Sequence, residues 1–179
     1  MSNTKNNARR RASRERIVLA FIELIEAHDI DQISVTEICQ RAKVNRATFY
    51  ANYEDIYDLG DTIKRDLENQ TMSLYGTRGV SVGVPEDNYL GLLKNVHDHQ
   101  ALYRTYFKLC RNTELAKLEF ADADKRNNDF GELADYHRMY HRAGITAIIK
   151  MWLSTGCKEP PEEIANLLEK ELKPTSAKR

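Results

Sequence analysis

The sequence is short of the parts from which secreted scaffolds, membrane spans and common enzymes are built. Its three cysteines, Cys39, Cys110 and Cys157, are an odd number, lie far apart and include no Cys-x-x-Cys pair. That excludes a disulfide framework and reads as reduced thiols. There is no Gly-rich phosphate loop, no His-Glu-x-x-His and no Gly-x-Ser-x-Gly, so the usual nucleotide-binding, zinc-protease and serine-hydrolase chemistries lack their signatures. No apolar run reaches transmembrane length. Residues 17–25, IVLAFIELI, follow a basic stretch as a signal peptide would, but Glu23 interrupts the run and no small-residue cleavage site follows. The expected location is the cytoplasm. Strand-like alternation and internal repeats are also missing. The formal net charge is zero, so overall charge names no partner.

The distribution of charge says more than its sum. Residues 1–53 carry nine Lys/Arg and six Asp/Glu, which makes the remainder net acidic. A basic front on a neutral chain points toward a polyanion. Within that front, residues 1–12 are polar and basic and are expected to form a flexible arm. From about Ser13, the residues Ile17, Ala20, Phe21, Leu24 and Ile25 follow the spacing of a buried helical stripe.

Ser34 and Glu37 then form a Ser-x-x-Glu capping box that predicts a helix start. Val35, Ile38, Cys39 and Ala42 form the inner face of a helix ending near Ala42. Asn45 is a fitting N-cap for a second short helix, and Asp55 for a longer one through Ile56, Leu59, Ile63 and Leu67. Residues 76–88, GTRGVSVGVPEDN, read as a loop. Further helices are predicted over about 86–97, 99–110, 113–124, 130–155 and 162–172, with Gly156 at a helix C-terminus and Pro161 in a first turn.

Two short helices joined by a tight turn match the helix-turn-helix layout, whose second helix points its N-terminal end into the DNA major groove. The residue types suit this. Cys39, Ala42, Val44 and Phe49 supply a small wedge of core, and Ala47 is small enough for the helices to approach. Asn45, Arg46 and Thr48 are left near the exposed tip. Arg46 suits guanine edges, and Thr48 suits a thymine methyl or a phosphate. Tyr50 and Asn52 carry neutral donors of the kind that grip phosphate.

The run TEICQRAKVNRATFYANYEDIYDL, residues 36–59, with the amphipathic helix before it, resembles the DNA-binding domain of the tetracycline-repressor-like (TetR/AcrR) transcriptional regulators. The distal run with Tyr140, Gly144, IIKMWLSTG and PPEEIANLL resembles one C-terminal subtype of the same regulators. The resemblance implies that Arg46 and Thr48 face DNA, that Tyr50 meets phosphate, and that Thr36 is a further phosphate contact. Asn52 stands where histidine is frequent. Lys43 holds the turn position usually given to glycine and adds a charge near DNA. Ile56 replaces a common lysine, and Arg9, Arg10 and Arg11 are the residues able to compensate along the backbone or in a minor groove.

The expected architecture is therefore all-α. A flexible basic arm (1–12) precedes a three-helix DNA-binding domain (13–56). A helical dimerisation and effector-binding domain (57–173) and a tail (174–179) follow. In the second domain, Leu133, Tyr136, His137, Tyr140, Gly144, Ala147, Ile148 and Met151 make one stripe, and Ile145, Ile149, Trp152 and Leu153 extend a second. A helix apolar on two sides is buried on two sides. Ile145, Ile149, Trp152 and Leu153 are the residues expected at a homodimer interface, with Trp152 as anchor. Tyr103, Tyr106, Phe107, Phe120, Tyr136 and Tyr140 are the set expected to line an effector pocket, against the alternative that they are ordinary core.

The leading reading is a homodimeric DNA-binding regulator, most simply a repressor released from its operator by a small molecule, with no cofactor, metal or catalytic residues. One rival keeps the fold but acts through a partner protein without DNA. A second is a small metal-dependent enzyme using His137 and His141, whose i, i+4 spacing suits chelation but which have no third ligand.

Overall fold

The computed structural model describes residues 5–75, 89–110 and 133–172. Every element among them is helical. They are α1 (Lys5–Ala27), α2 (Val35–Ala42), α3 (Arg46–Tyr50), α4 (Ile56–Tyr75), α5 (Tyr89–Asp98), α6 (Gln100–Leu109), α7 (Ala134–Ser154) and α8 (Pro161–Leu172), with one 3-10 turn at Ile30–Gln32. The capping signals place the starts of α2, α3 and α4. Asp55 Oδ1 accepts from the N–H groups of Tyr57 and Asp58, each at 2.8 Å. The expected loop at 76–88, the expected helix at 113–124 with Phe120, and the tail lie outside the described residues.

The chain divides into two compact units, residues 1–67 with 104–111, and residues 68–103 with 112–179. The boundary thus falls inside α4, later than the break expected at residue 56, because the apolar stripe of α4 runs on through Ile63 and Leu67, both buried.

In the first unit α1 packs along α2, and α2 against α3. Ile17, Phe21 and Ile25 of α1 meet a shared core with Ile38, Phe49 and Leu59, all nearly inaccessible to solvent. The second half of α6 closes this unit. A Cβ on Gly60 of α4 would stand 3.3 Å from Leu109, so the missing side chain allows the close approach. Lys108 Nζ donates to the carbonyls of Ile25 (2.7 Å) and His28 (2.9 Å), orphan acceptors at the C-terminal end of α1. Its charge also suits the negative end of that helix, and Arg104 lies 3.8 Å from Glu26 beside it.

In the second unit α5 packs on α8. Leu92, Leu93 and Val96 are buried, as are Ile164, Ala165 and Leu168. Trp152 of α7 is 1% exposed. Its Nε1 donates to Glu159 O at 3.0 Å, and its ring lies 6.2 Å from that of His97. Beyond α7, Gly156 (φ 79°) and Cys157 (φ 52°) turn back, and Cys157 N–H reaches Trp152 O at 2.8 Å. Glycine takes that conformation freely.

Burial bears on two of the expected residue sets. Ile145, Ile149, Trp152 and Leu153 are buried in the chain's own core and present no surface to a partner. The outward side of α7 carries Tyr136 (73% exposed), Tyr140 (76%) and Met151 (68%) of the other expected stripe, together with Met139 (63%). The described members of the aromatic set differ in burial. Tyr103 and Tyr106 are buried and Phe107 half-buried, whereas Tyr136 and Tyr140 face outward. Tyr103 is held in a polar contact of the second unit, accepting from Asn95 Nδ2 at 3.0 Å with Thr71 Oγ1 at 3.5 Å.

The cap on α1 yields a measurable expectation. Lys108→Ala leaves two helix-terminal carbonyls without their charged donor and should destabilise the protein by about 1–2 kcal/mol. Urea denaturation checks this; an unchanged midpoint would mean that water replaces the lysine at no cost.

Candidate nucleic-acid interface

Helix α2 begins with the reciprocal box expected from its sequence. Glu37 N–H donates to Ser34 Oγ (3.2 Å), and the Glu37 carboxylate accepts from Ser34 N–H (2.9 Å) and Ser34 Oγ (2.7 Å). The Ser34 hydroxyl, and then its backbone N–H, hold the Glu37 carboxyl below its usual range. The helix ends at Lys43, which sits in the left-handed region at φ 52°, ψ 48°. A non-glycine residue there costs roughly 1 kcal/mol. Three hydrogen bonds hold the turn. Lys43 N–H reaches Gln40 O (3.2 Å), Val44 N–H reaches Cys39 O (3.0 Å), and Arg16 Nη1 reaches back from α1 to Lys43 O (3.3 Å).

Helix α3 has only five residues and is fixed at both ends. In front, Asn45 Oδ1 accepts from Thr48 N–H at 2.7 Å and Thr48 Oγ1 at 2.8 Å, a cap contributing about 1 kcal/mol. Behind, Asn52 Nδ2 donates to Thr48 O at 2.7 Å, and Arg10 of α1 donates to Asn52 Oδ1 (Nε, 3.2 Å) and Ala51 O (Nη2, 3.2 Å). Beneath, Phe49 is fully buried. Arg14 Nε donates to Tyr53 OH at 3.3 Å, and its Nη2 pairs with Asp66 Oδ2 of α4 at 2.6 Å. Burial pushes the Tyr53 phenol above its usual range, so it stays a neutral partner for Arg14. Burial likewise raises the Cys39 thiol, which suits a packing role.

The structure brings the expected contact residues onto one short segment. Thr36, Lys43, Asn45, Arg46 and Tyr50 are exposed, and Thr48 and Asn52 half-buried. Arg46 lies across the two helices. Its Nη1 donates to Thr36 Oγ1 (3.3 Å), its Nη2 donates to Tyr50 OH (3.1 Å), and its guanidinium carbon stands 5.7 Å from the Tyr50 ring centroid. Asn52 is different: both ends of its amide are engaged within the protein, so it serves as a strut of the frame. Ala47 is exposed and does not form the helix-helix contact expected of it; Cys39, Ala42 and Phe49 are the buried ones.

The front of α1 also departs from expectation. Of the expected arm, residues 5–12 are the first turns of the helix, and residues 1–4 lie outside the described residues. Arg10, Arg14 and Arg16 turn inward onto the frame just described. Arg9 and Arg11 are exposed and have no polar partner among the described residues. Sequence reasoning missed the structural role of Arg10 and Arg14. The signal was present: positions 10, 14, 17 and 21 extend the apolar stripe backward at helical spacing.

The outward and inward arginines should separate in a salt titration of DNA affinity. Replacing Arg9 and Arg11 by Gln should flatten the log–log slope by about 0.9 for each phosphate no longer neutralised, with base preference unchanged. Arg10→Gln should weaken binding with much less change of slope, because it loosens α3 and leaves the phosphates neutralised as before. Equal slopes for all the variants would remove Arg9 and Arg11 from the interface.

Comparison with known proteins finds three similarities. Residues 87–173 match the TetR family described as "Transcriptional regulator C-terminal region". The HTH-type dhaKLM operon transcriptional activator DhaS of Lactococcus lactis subsp. lactis (strain IL1403) is 27% identical over 170 residues, covering 88% of this chain and 89% of the relative. A solved structure, the dihydroxyacetone kinase operon activator DhaS, superposes with a TM-score of 0.57 at 26% identity, over 90% of this chain and 96% of that one. With a capped helix-turn-helix at the front and a helical region behind it that matches this family's C-terminal model, the chain is similar to the tetracycline-repressor-like transcriptional regulators.

Proposed function

We propose that the protein regulates transcription by binding a double-stranded DNA operator as a homodimer, with α3 as the reading helix. The observation that carries this is the placement of Arg46 at the exposed start of a helix braced from in front, behind and beneath. A short helix so braced, with its donors outward, suits the major groove. The same donors count against a regulator that has given up DNA for a protein partner. The side chains of His137 and His141 lie outside the described residues, so the metal-enzyme rival gains no support.

The homodimer follows from α7. Tyr136, Met139, Tyr140 and Met151 form an exposed apolar stripe, and Leu167 of α8 is also exposed. Large apolar side chains exposed along one helix mark a contact surface, and the aromatics and methionines are residue types enriched at interfaces. A second copy is the occupant that also gives DNA recognition its two half-sites. A small-molecule signal enters through the family resemblance alone. For the direction of regulation we favour activation over the repression expected from sequence, because the similar protein bears the name of an activator.

Two measurements test the reading. In gel shifts with fragments from the source genome, the protein should retain fragments that share two symmetry-related half-sites. In sedimentation, the wild type should be a dimer at micromolar concentration. Tyr140→Glu with Met151→Glu should give a monomer of unchanged helicity, since carboxylates on that face oppose its burial. A wild type that is monomeric throughout, or a double variant that still dimerises, would remove α7 from the interface.

A further inference from the structure

We propose that Thr36 and Tyr50 set base specificity by positioning Arg46, in place of the independent phosphate contacts their positions suggest. The inference rests on the DNA-binding reading and deepens it. Arg46 is the first residue of α3, the end that enters a groove deepest. An exposed arginine on a flexible stem would sample many directions. Here three contacts define its plane: Thr36 on the first turn of α2, the Tyr50 hydroxyl one turn along α3, and the Tyr50 ring. The anchors come from both helices of the motif, so the direction of the guanidinium is set by the turn that joins them.

The chemistry follows from the donor inventory. Guanidinium only donates, so both hydroxyls act as acceptors toward Arg46. Two of its N–H groups are engaged, and those that remain suit a pair of acceptors such as guanine O6 and N7. A fixed fork discriminates between bases because a mismatched acceptor pattern cannot be met by swinging the side chain. A free arginine would find some acceptor on almost any sequence. Positioning therefore affects the ratio of affinities between sequences, whereas a hydroxyl on phosphate affects all sequences alike.

The test is a double-mutant cycle read on base preference. Affinities for the selected operator and its single-base-pair variants are measured for wild type, Thr36→Val, Tyr50→Phe, Arg46→Ala and Tyr50→Phe/Arg46→Ala. Phe keeps the ring and Val keeps the shape, and both sites are exposed, so folding should be unaffected. Discrimination at one base pair should fall about tenfold in each single variant, at the same base pair in all three. Tyr50→Phe should add nothing in the Arg46→Ala background. If Tyr50→Phe weakens every sequence equally, and by the same factor without Arg46, Tyr50 is a phosphate contact and the inference is wrong. No sequence preference in the wild type would overturn the DNA-binding reading itself, and this inference with it.

Discussion

A helix of five residues does not hold its shape in water. Isolated helices shorter than about 12–15 residues are marginal even with ideal composition, and α3 is Arg46–Tyr50. Its rigidity has to come from elsewhere, and the first unit is arranged around supplying it. Asn45 closes the front of the helix, Arg10 and Asn52 close the back, and Phe49 fixes it from beneath. The Tyr53–Arg14–Asp66 chain, with Arg14 donating to both partners, ties the segment after α3 to α1 and α4. Without this support the polar side chains on α3 would lose entropy each time they engaged a base or a phosphate.

The same requirement divides the arginines of α1 by their angle around the helix. Arg10 and Arg14 lie on the side that carries Ile17 and Phe21, so they meet protein; Arg16 reaches the turn at Lys43. Arg9 and Arg11 look outward. Residue type alone puts all five in one basic cluster, and helix geometry separates struts from charges open to a polyanion. Arg16 also bears on the left-handed Lys43. By accepting from Arg16, the Lys43 carbonyl gains a charged partner where the backbone is least comfortable.

What could be read from the sequence was local. Ser34 with Glu37, Asn45 with Thr48, and Asp55 with Asp58 each place donor and acceptor within three residues, so a single stretch of chain displays both partners. Burial of Ile17, Phe21, Ile38 and Phe49 followed from periodicity for the same reason. The start of α1 was hidden because its first turns carry arginines where periodicity looks for apolar residues. The contacts that explain them, Arg10 to Asn52 and Arg14 to Asp66, join residues far apart in sequence. The sides of α7 were hidden for another reason. Both of its stripes are apolar, and which one becomes core is decided by what packs on it. Aromatic composition likewise does not tell a buried tyrosine such as Tyr103 from an exposed one such as Tyr140.

The exposed stripe on α7 and the shortness of α3 bear on one problem. A reader with one arginine at its tip and a few hydroxyls behind it covers little of the groove. Even a good bidentate arginine contributes only about 1–3 kcal/mol of discrimination, too little to pick one site from a genome. Joining two copies along the Tyr136, Met139, Tyr140 and Met151 stripe, as proposed, makes the second half-site an intramolecular event. Its effective concentration is then fixed by the protein, not by bulk solution. Discrimination would add over two half-sites, and their spacing would become a further criterion that neither copy imposes alone. On this reading, a signal that altered how two copies sit would change operator affinity without touching any base contact, because the cost would fall on the spacing. The frame around α3 has to be stiff for that to work. A loose reading helix would absorb the change of spacing, and the signal would fade before it reached the DNA.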